Sequence, residues 1–213
     1  MSGVRVHMAM PTTGEVRAET MLWVMAYANH PYVMRFTCNI GQLGVAVQRN
    51  FLCDALLASD ATHLFFMDDD VVPPSAFDAL KRMVDHDKDI VTGVYPLQLQ
   101  DKMCPAVYRL FPDATYDIND DSTLEQENLI GPVAPVDEGL EKCDASGGGC
   151  LLIKRRVIEE MPKPWFCFPP FTDRDKRMGE DIYFGLKAKQ YGFQMYVDWT
   201  VRCAHYKAVR WNV

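Results

Sequence analysis

The feature that most constrains the fold is an alternation of strand-like and helix-like segments over the first hundred residues. Apolar, β-prone runs take turns with stretches whose apolar residues recur at helical spacing. In chain order the predicted elements are Val4–Met10, Glu19–Asn29, Tyr32–Cys38, Val45–Ala58, Thr62–Met67, Pro73–Asp87 and Ile90–Val94. Strands joined through helices favour a mostly parallel sheet with helices on both faces. The sequence therefore predicts an α/β fold.

The second half of the chain is less regular. Acidic, turn-rich residues fill Asp113–Glu127, and four prolines fall in residues 162–178, where we expect a mobile surface loop. The predicted elements here are a strand at Cys150–Ile153, helices at Arg155–Met161 and Glu180–Tyr191, and strands at Phe193–Val197 and Thr200–Cys203. With 213 residues, the chain is long enough for one substantial domain, and we expect both halves to form it together.

Composition excludes several classes of protein. The formal net charge is −7, which disfavours a nucleic-acid binder. Seven cysteines without a C-x-x-C pair argue against a zinc ribbon or a secreted disulfide framework, and for a reducing compartment. The longest apolar run, Met21–Ala28, is far shorter than a membrane span, and the N-terminus does not look like a signal peptide. We expect a soluble, cytoplasmic protein.

The strongest chemical signal is a run of three carboxylates, Asp68, Asp69 and Asp70, directly after an apolar strand. In open α/β sheets, ligands bind beyond the carboxyl ends of the strands. Two unit charges about 4 Å apart repel by about 4 kcal/mol at an effective dielectric near 20, so such a cluster favours a bound cation. Oxygen ligands favour Mg²⁺ or Mn²⁺. The alternative is a solvated acidic turn that caps the next helix.

These residues resemble a known family. The segment Leu64–Asp70 resembles the strand and Asp-x-Asp metal motif of GT-A glycosyltransferases. Further segments are similar to other motifs of that family and occur in the family's order: Val47–Asn50 (the A-R-N segment), Val91–Pro96 (the strand after the Asp motif), Gly147–Ile153 (the glycine-rich segment), Gly179–Asp181 (the E-D motif) and His205–Lys207 (the C-terminal H-x-K element). The resemblance covers most of the chain and implies a single, Rossmann-like GT-A domain over residues 1–213, with a small antiparallel region on the acceptor side.

The resemblance implies a role for each half and for individual residues. Residues 1–100 would bind a nucleotide sugar, with UDP-sugar as the expected donor, and residues 101–213 would bind the acceptor. The expected assignments are Asp68, Asp70 and His205 on Mn²⁺ or Mg²⁺; Asp69 on the ribose; Arg49 and Lys207 on the nucleotide diphosphate; Gly149 near the sugar; Asp181 as catalytic base; and Glu180 as a hydrogen-bond partner of the acceptor. Asp68 is also counted among the residues that bind the donor. From the residues alone, the segment with Pro11 and Thr12 fits a contact to uracil or ribose and a plain loop equally well.

The acceptor is expected to be a glycan or glycoprotein. The length of the chain also resembles that of a domain of the viral capsid glycosyltransferases, for which the compartment would be the host cytoplasm. A chain that ends soon after the H-x-K element fits either a complete small enzyme or one domain of a larger protein. We expect neither a nucleic-acid partner nor a membrane span.

Several alternatives remain open from the residues alone. A helix N-terminus lowers the basicity of a carboxylate, so Glu180 and Asp181 also fit as ordinary first-turn residues of a helix. The aromatic residues Trp165, Phe166, Phe168 and Phe171 fit either a rim that stacks on sugars or a hydrophobic clamp for a long loop. Two other functions fit the pattern: a sugar-phosphate nucleotidyltransferase and a non-catalytic, cation-dependent carbohydrate-binding module.

Overall fold

The fold is built on a central seven-stranded sheet, seen in a computed structural model that describes residues 3–41, 43–74, 78–99, 102–169 and 178–206. Its elements, in chain order, are β1 (Val6–Thr12), α1 (Ala18–Tyr27), β2 (Val33–Ile40), α2 (Val45–Leu57), β3 (His63–Met67), β4 (Val71–Val72), α3 (Ala79–Asp85), β5 (Ile90–Val94), β6 (Pro96–Leu99), β7 (Lys102–Pro105), β8 (Val107–Leu110), a 3-10 turn (Asp121–Thr123), α4 (Gln126–Leu129), β9 (Ile130–Pro132), β10 (Leu140–Cys143), β11 (Ala145–Ser146), β12 (Cys150–Lys154), α5 (Arg155–Glu160), α6 (Glu180–Gln190), β13 (Met195–Arg202) and β14 (Ala204–His205). Within these ranges, no helix has the length and apolar character needed to cross a membrane.

The strand order of the central sheet is β10-β13-β5-β12-β3-β1-β2. Strands β1, β2, β3, β5 and β13 run in one direction, whereas β12 and β10 run antiparallel to their neighbours. The predicted α/β class and the mostly parallel sheet are thus confirmed. Strand β12 comes from the second half of the chain and lies between β3 and β5 of the first half, so the two halves share one sheet.

Helices cover both faces of this sheet, as predicted. Along β3, Leu64 and Phe66 face a core with α2, α5 and α6, while Phe65 and Met67 face a core with α1 and α3. Such alternation follows from the two-residue period of a strand. Burying a side chain of this size stabilises the fold by about 1.5–3 kcal/mol, which explains why the strand carries no polar residue between His63 and its end.

Helix α3 begins later than the sequence suggested. The prediction of a helix from Pro73 was wrong: Pro73 and Pro74 directly follow β4, which pairs with β14, and they are in neither a helix nor a strand. The helix starts at Ala79 instead, where the Asp78 side chain accepts a hydrogen bond from the backbone N–H of Lys81 at 2.9 Å. An aspartate cap of this kind contributes about 1 kcal/mol to helix stability.

The C-terminal strand is longer than predicted. The structure has one strand, β13, where the sequence suggested two, Phe193–Val197 and Thr200–Cys203. Its register against β5 shifts between Val197 and Arg202, so the strand is irregular at the place where the pattern appeared to break. Strand β13 leads directly into β14, which carries His205 to the carboxyl end of the sheet.

A buried carboxylate, Asp198, anchors β13 to α3. Its oxygens accept hydrogen bonds from Arg82 Nε at 2.6 Å, His86 Nε2 at 2.6 Å and the backbone N–H of Thr200 at 3.0 Å. Burial alone would raise the pKa of Asp198, but the hydrogen bonds from His86 and Arg82 lower it below its usual value. A charged residue in the middle of a buried strand is tolerated here because it is paired.

We expect Asp198→Asn to lower the free energy of unfolding by about 2 kcal/mol at pH 7, because Arg82 and His86 lose their ionised partner. The lowered pKa means that the carboxylate stabilises the fold above the unfolded-state pKa of about 3.9 and loses this effect as the pH falls through the folded-state value. Urea unfolding of the unmodified protein and of Asp198→Asn should therefore give free energies of unfolding whose difference becomes smaller as the pH is lowered. Asp85→Asn, at an exposed pair with Lys81, is the control and should cost less than about 1 kcal/mol.

Candidate functional site

A polar cleft of about 360 Å³ opens at the carboxyl ends of β1, β3 and β5. It is lined by Pro11, Thr12, Thr13, Val45, Gln48, Asp68, Asp69, Asp70, Tyr95, Leu97, Asp181 and His205. Seven of the residues predicted to form a site are among them, namely Pro11, Thr12, the three consecutive aspartates, Asp181 and His205. They come from distant parts of the sequence, and the sheet brings them together because its parallel strands end at one edge.

The three aspartates point to three different partners. Asp68 Oδ1 accepts a hydrogen bond from Arg49 Nη2 at 2.7 Å. The Asp69 carboxylate accepts a hydrogen bond from the Thr12 side chain, and burial, followed by the charges of its two neighbours, raises the pKa of Asp69. Asp70 Oδ2 lies 3.2 Å from His205 Nε2. The run therefore does not act as one uniform acidic turn.

The pair Asp70 and His205 has the chemistry of a cation site. His205 Nδ1 donates a hydrogen bond to the carbonyl oxygen of Pro96 at 2.9 Å, so Nε2 is the ring nitrogen that faces Asp70, and in the neutral ring it carries the lone pair. A lone pair facing a carboxylate is stabilised by a proton or a metal ion between them. Adjacent ligands of octahedral Mg²⁺ or Mn²⁺ are roughly 3 Å apart, close to the separation seen.

Two side chains alone do not form a metal site. Over residues 3–41, 43–74, 78–99, 102–169 and 178–206, no group of three or more histidine, cysteine, aspartate or glutamate side chains is arranged to hold a metal ion. Asp70 and His205 fit as two ligands, and Asp68, whose Oδ1 is taken by Arg49, stays a predicted third. The remaining positions would be filled by water or by substrate oxygens, as is usual for Mg²⁺.

Arg49 lies behind the wall of the cleft. Its side chain is only 2% exposed, and besides Asp68 it donates to Glu180 Oε1 at 3.2 Å and to the carbonyl oxygen of Gly148 at 3.2 Å. Burial alone would lower the pKa of Arg49, but the Asp68 and Glu180 carboxylates raise it above its usual value, so the group is charged. The expected contact of Arg49 with a donor diphosphate stays a prediction, and in this structure the guanidinium is engaged by internal ion pairs. Lys207, the other expected diphosphate contact, lies outside the described residues.

Asp181 stands in the first turn of α6 and lines the cleft. Its Oδ1 accepts a hydrogen bond from the backbone N–H of Ile182 at 2.8 Å, and its Oδ2 from that of Gly148 at 3.3 Å. Burial, and then the charge of Glu180, raise the pKa of Asp181 to about 7. This shift outweighs the opposing effect of the helix N-terminus, so near neutral pH the carboxylate can accept a proton. Glu180 itself is buried beside Arg49, and its expected hydrogen bond to an acceptor stays a prediction.

The glycines before β12 allow close packing against the cleft wall. The backbone N–H of Gly149 donates to the Tyr95 hydroxyl at 3.1 Å, and a Cβ on Gly147 would lie 2.0 Å from that hydroxyl oxygen. A Cβ on Gly149 would lie 3.1 Å from Asp68 Oδ2. The expected approach of Gly149 to a sugar remains a prediction, and the neighbours that require glycine here are protein side chains.

Sequence reasoning missed Tyr95 and Gln48 as residues of the site. Tyr95 follows β5, and burial raises the pKa of its hydroxyl well above the usual value, so it keeps its proton. Gln48 Oε1 accepts from the backbone N–H of Thr12 at 2.8 Å, while its Nε2 donates to Gly41 O at 2.8 Å. The available signals were a tyrosine at a strand end, and a glutamine beside Arg49 in the segment already singled out.

The aromatic residues after α5 were open to two interpretations, a rim that stacks on sugars and a hydrophobic clamp. Trp165 and Phe166 are buried, and both of their backbone N–H groups donate to Asn50 Oδ1, at 2.9 and 3.2 Å. For these two residues the hydrophobic clamp is confirmed. Phe168 is exposed, and Phe171 lies outside the described residues.

Known structures share this architecture although no sequence match accompanies them. No protein-family model matches the chain, and no curated protein matches it. The structure resembles A197 from STIV with a TM-score of 0.65 and 22% identity, covering 96% of this chain and 87% of that one. It also resembles GalNAc-T7, solved with UDP, GalNAc and Mn²⁺, with a TM-score of 0.60 and 12% identity, covering 98% of this chain and 45% of that one.

The chain has a GT-A-like fold. At these identities the likeness concerns the fold alone, and this chain spans less than half the length of the GalNAc-T7 chain. The fold class expected from the sequence is therefore confirmed, while the chemistry has to be argued from the residues of the cleft.

We expect Gly149→Ala to destabilise the protein by about 2 kcal/mol, because a Cβ there would lie 2.8 Å from Val71 Cγ2 and 3.0 Å from Tyr95 Cε1. Gly41→Ala is the control, since its Cβ would meet Gln48 Cγ at an ordinary 3.5 Å, and it should change stability by less than about 1 kcal/mol. Urea unfolding measures both. Equal stabilities of the two variants would contradict the tight packing around Gly149.

Proposed function

We propose that this protein is a metal-dependent glycosyltransferase. It would transfer a sugar from a nucleotide-diphosphate sugar, with UDP-sugar as the expected donor, to a hydroxyl of a glycan or glycoprotein. The observation that carries the proposal is that one cleft of a GT-A-like sheet holds both the Asp70–His205 pair and Asp181 with its raised pKa. The presence of UDP and Mn²⁺ in the GalNAc-T7 structure supports this choice of nucleotide and metal.

The charge of the cleft supports a metal-dependent donor. Four carboxylates line it, and none of its lining residues in the described part of the chain is a lysine or an arginine. A diphosphate alone would be repelled by these charges. Asp70 and His205 would hold Mn²⁺ or Mg²⁺ together with Asp68, and the bound ion would supply the positive charge that stabilises the departing diphosphate.

The proposed transfer needs one proton acceptor. The acceptor oxygen forms a bond to C1 of the donor sugar while the bond between C1 and the diphosphate oxygen breaks, and the nucleoside diphosphate leaves. Asp181 takes the proton of the attacking hydroxyl, for which a carboxylate with a pKa of about 7 is suited near neutral pH. This arrangement corresponds to inversion at C1. Pro11, Thr12 and Asp69 would contact the nucleoside, and residues 101–213 would contribute most acceptor contacts.

Calorimetric titration with UDP tests the donor site. We expect binding in the presence of Mn²⁺ and at least a tenfold loss of affinity in EDTA, because the acidic cleft repels the diphosphate without a cation. Asp70→Asn should lose the metal-dependent part of the affinity. Asp85→Asn removes a carboxylate from the exposed face of α3 and should bind UDP as the unmodified protein does. Equal UDP affinity with Mn²⁺ and with EDTA would falsify the proposed donor site.

The pH dependence of transfer tests the base. Because Asp181 acts when ionised and its pKa is about 7, the turnover number should fall roughly tenfold for each pH unit below 7. Asp181→Asn should reduce turnover by at least a hundredfold and leave UDP affinity within threefold. A variant with full turnover would remove Asp181 from the role of base.

A further inference from the structure

One guanidinium joins the two sides of the proposed site. Asp68 stands at the end of β3, on the side of the predicted metal, and Glu180 stands at the start of α6, beside the proposed base. Arg49, on α2, donates to both carboxylates, at 2.7 Å and 3.2 Å respectively. Within the described residues, these are the two carboxylates with which Arg49 forms ion pairs. The first belongs to the first half of the chain and the second to the second half.

The same guanidinium also holds the glycine turn. Arg49 Nη1 donates to the carbonyl oxygen of Gly148 at 3.2 Å, and the backbone N–H of that glycine donates to Asp181 Oδ2 at 3.3 Å. A Cβ on Gly148 would lie 2.6 Å from both Cζ and Nη2 of Arg49. Glycine at this position thus allows the guanidinium to approach, and one residue connects Arg49 to the proposed base.

Arg49 is closed off from the cleft. Its guanidinium carbon lies 5.2 Å from the centre of the Phe66 ring and 5.8 Å from that of Phe166, and the side chain is 2% exposed. A donor phosphate would reach it only if Asp68 or the Gly148 turn moved away. Moreover, both carboxylate partners would lose their counter-charge, which is costly for buried groups.

We propose that Arg49 is a positioning residue for the transfer step and not a ligand of the donor. It holds Asp68 and Glu180 together against their mutual repulsion, and it fixes the Gly148 turn so that its N–H meets Asp181. The inference rests on the proposed function, because it concerns the geometry of that reaction. A planar fork that donates from Nε, Nη1 and Nη2 can serve all three acceptors at once, which the single ammonium of a lysine at this site does not match.

Arg49→Lys and Gly148→Ala test the positioning role, because each changes one partner of the contact between the guanidinium and the glycine turn. The first keeps the charge and loses the fork, and the second keeps arginine but displaces its guanidinium. For each variant we would measure UDP affinity with Mn²⁺ by calorimetry, and the rate of UDP release from the UDP-sugar that the unmodified protein consumes fastest in a panel. We expect UDP affinity within threefold of normal and turnover reduced at least tenfold in both.

The double variant sharpens the test. If both changes act through the same contact, Arg49→Lys with Gly148→Ala should lose no more turnover than the worse single variant. Losses that multiply would show independent effects and would overturn the proposed link. The matched control is Arg82→Lys, which alters the pair with buried Asp198; neither residue lines the cleft, so the variant should lower the melting temperature with turnover unchanged.

Two other outcomes would overturn the positioning role of Arg49. UDP affinity at least tenfold weaker in Arg49→Lys, with turnover at saturating donor unchanged, would make Arg49 a donor ligand. A lower melting temperature with normal affinity and turnover would make it a purely structural residue. Either outcome overturns the positioning role but leaves the proposed function intact. An unmodified protein that binds no UDP with Mn²⁺, or consumes no UDP-sugar, would overturn the proposed function and this inference with it.

Discussion

Repulsion among carboxylates gathered at one edge of the sheet is the constraint around which the site is built. Asp68, Asp69, Asp70, Glu180 and Asp181 meet there, and each close pair of charges costs about 4 kcal/mol at an effective dielectric near 20. The buried guanidinium of Arg49 offsets part of this repulsion through its ion pairs with Asp68 and Glu180. The raised pKa values of Asp69 and Asp181 reduce it further, because they favour the uncharged carboxyl groups. The negative charge that is left faces the cleft and favours binding of a cation from solution.

The ion pairs of Arg49 also place two neighbouring carboxylates in different surroundings. Glu180 and Asp181 are neighbours in sequence, yet one side chain turns inward to Arg49 and the other lines the cleft. Burial, and then the charge of the neighbouring glutamate, raise the pKa of Asp181. Two adjacent carboxyl groups are thereby placed in different surroundings, and of the two it is Asp181 that faces the cleft, where it can take part in acid–base chemistry.

Much of the fold and of the cleft could be predicted from the sequence, and the predictions that were missing or wrong have physical causes. The alternation of elements predicted the sheet, and the aspartates after β3 predicted the edge where the cleft lies, because both signals are local. The orientation of Arg49 was not predictable, since its partners are 19 and 131 residues away and only the fold brings them near. Likewise, β4 pairs with β14, more than 130 residues away, and no local pattern at Val71–Val72 indicates that pairing.

The position of β12 has a consequence for how the chain reaches its fold. Because β12 separates β3 from β5, these two strands of the first half have no hydrogen bonds to each other in the finished sheet. A ribosome that has released only residues 1–100 has therefore produced one three-stranded fragment of the central sheet, β3-β1-β2, and the single strand β5, and their open edges are prone to mispairing. The centre of the sheet closes after Cys150–Lys154 emerges, and the same event brings the Gly147–Gly149 turn to the cleft. Folding and assembly of the site are thus coupled in time.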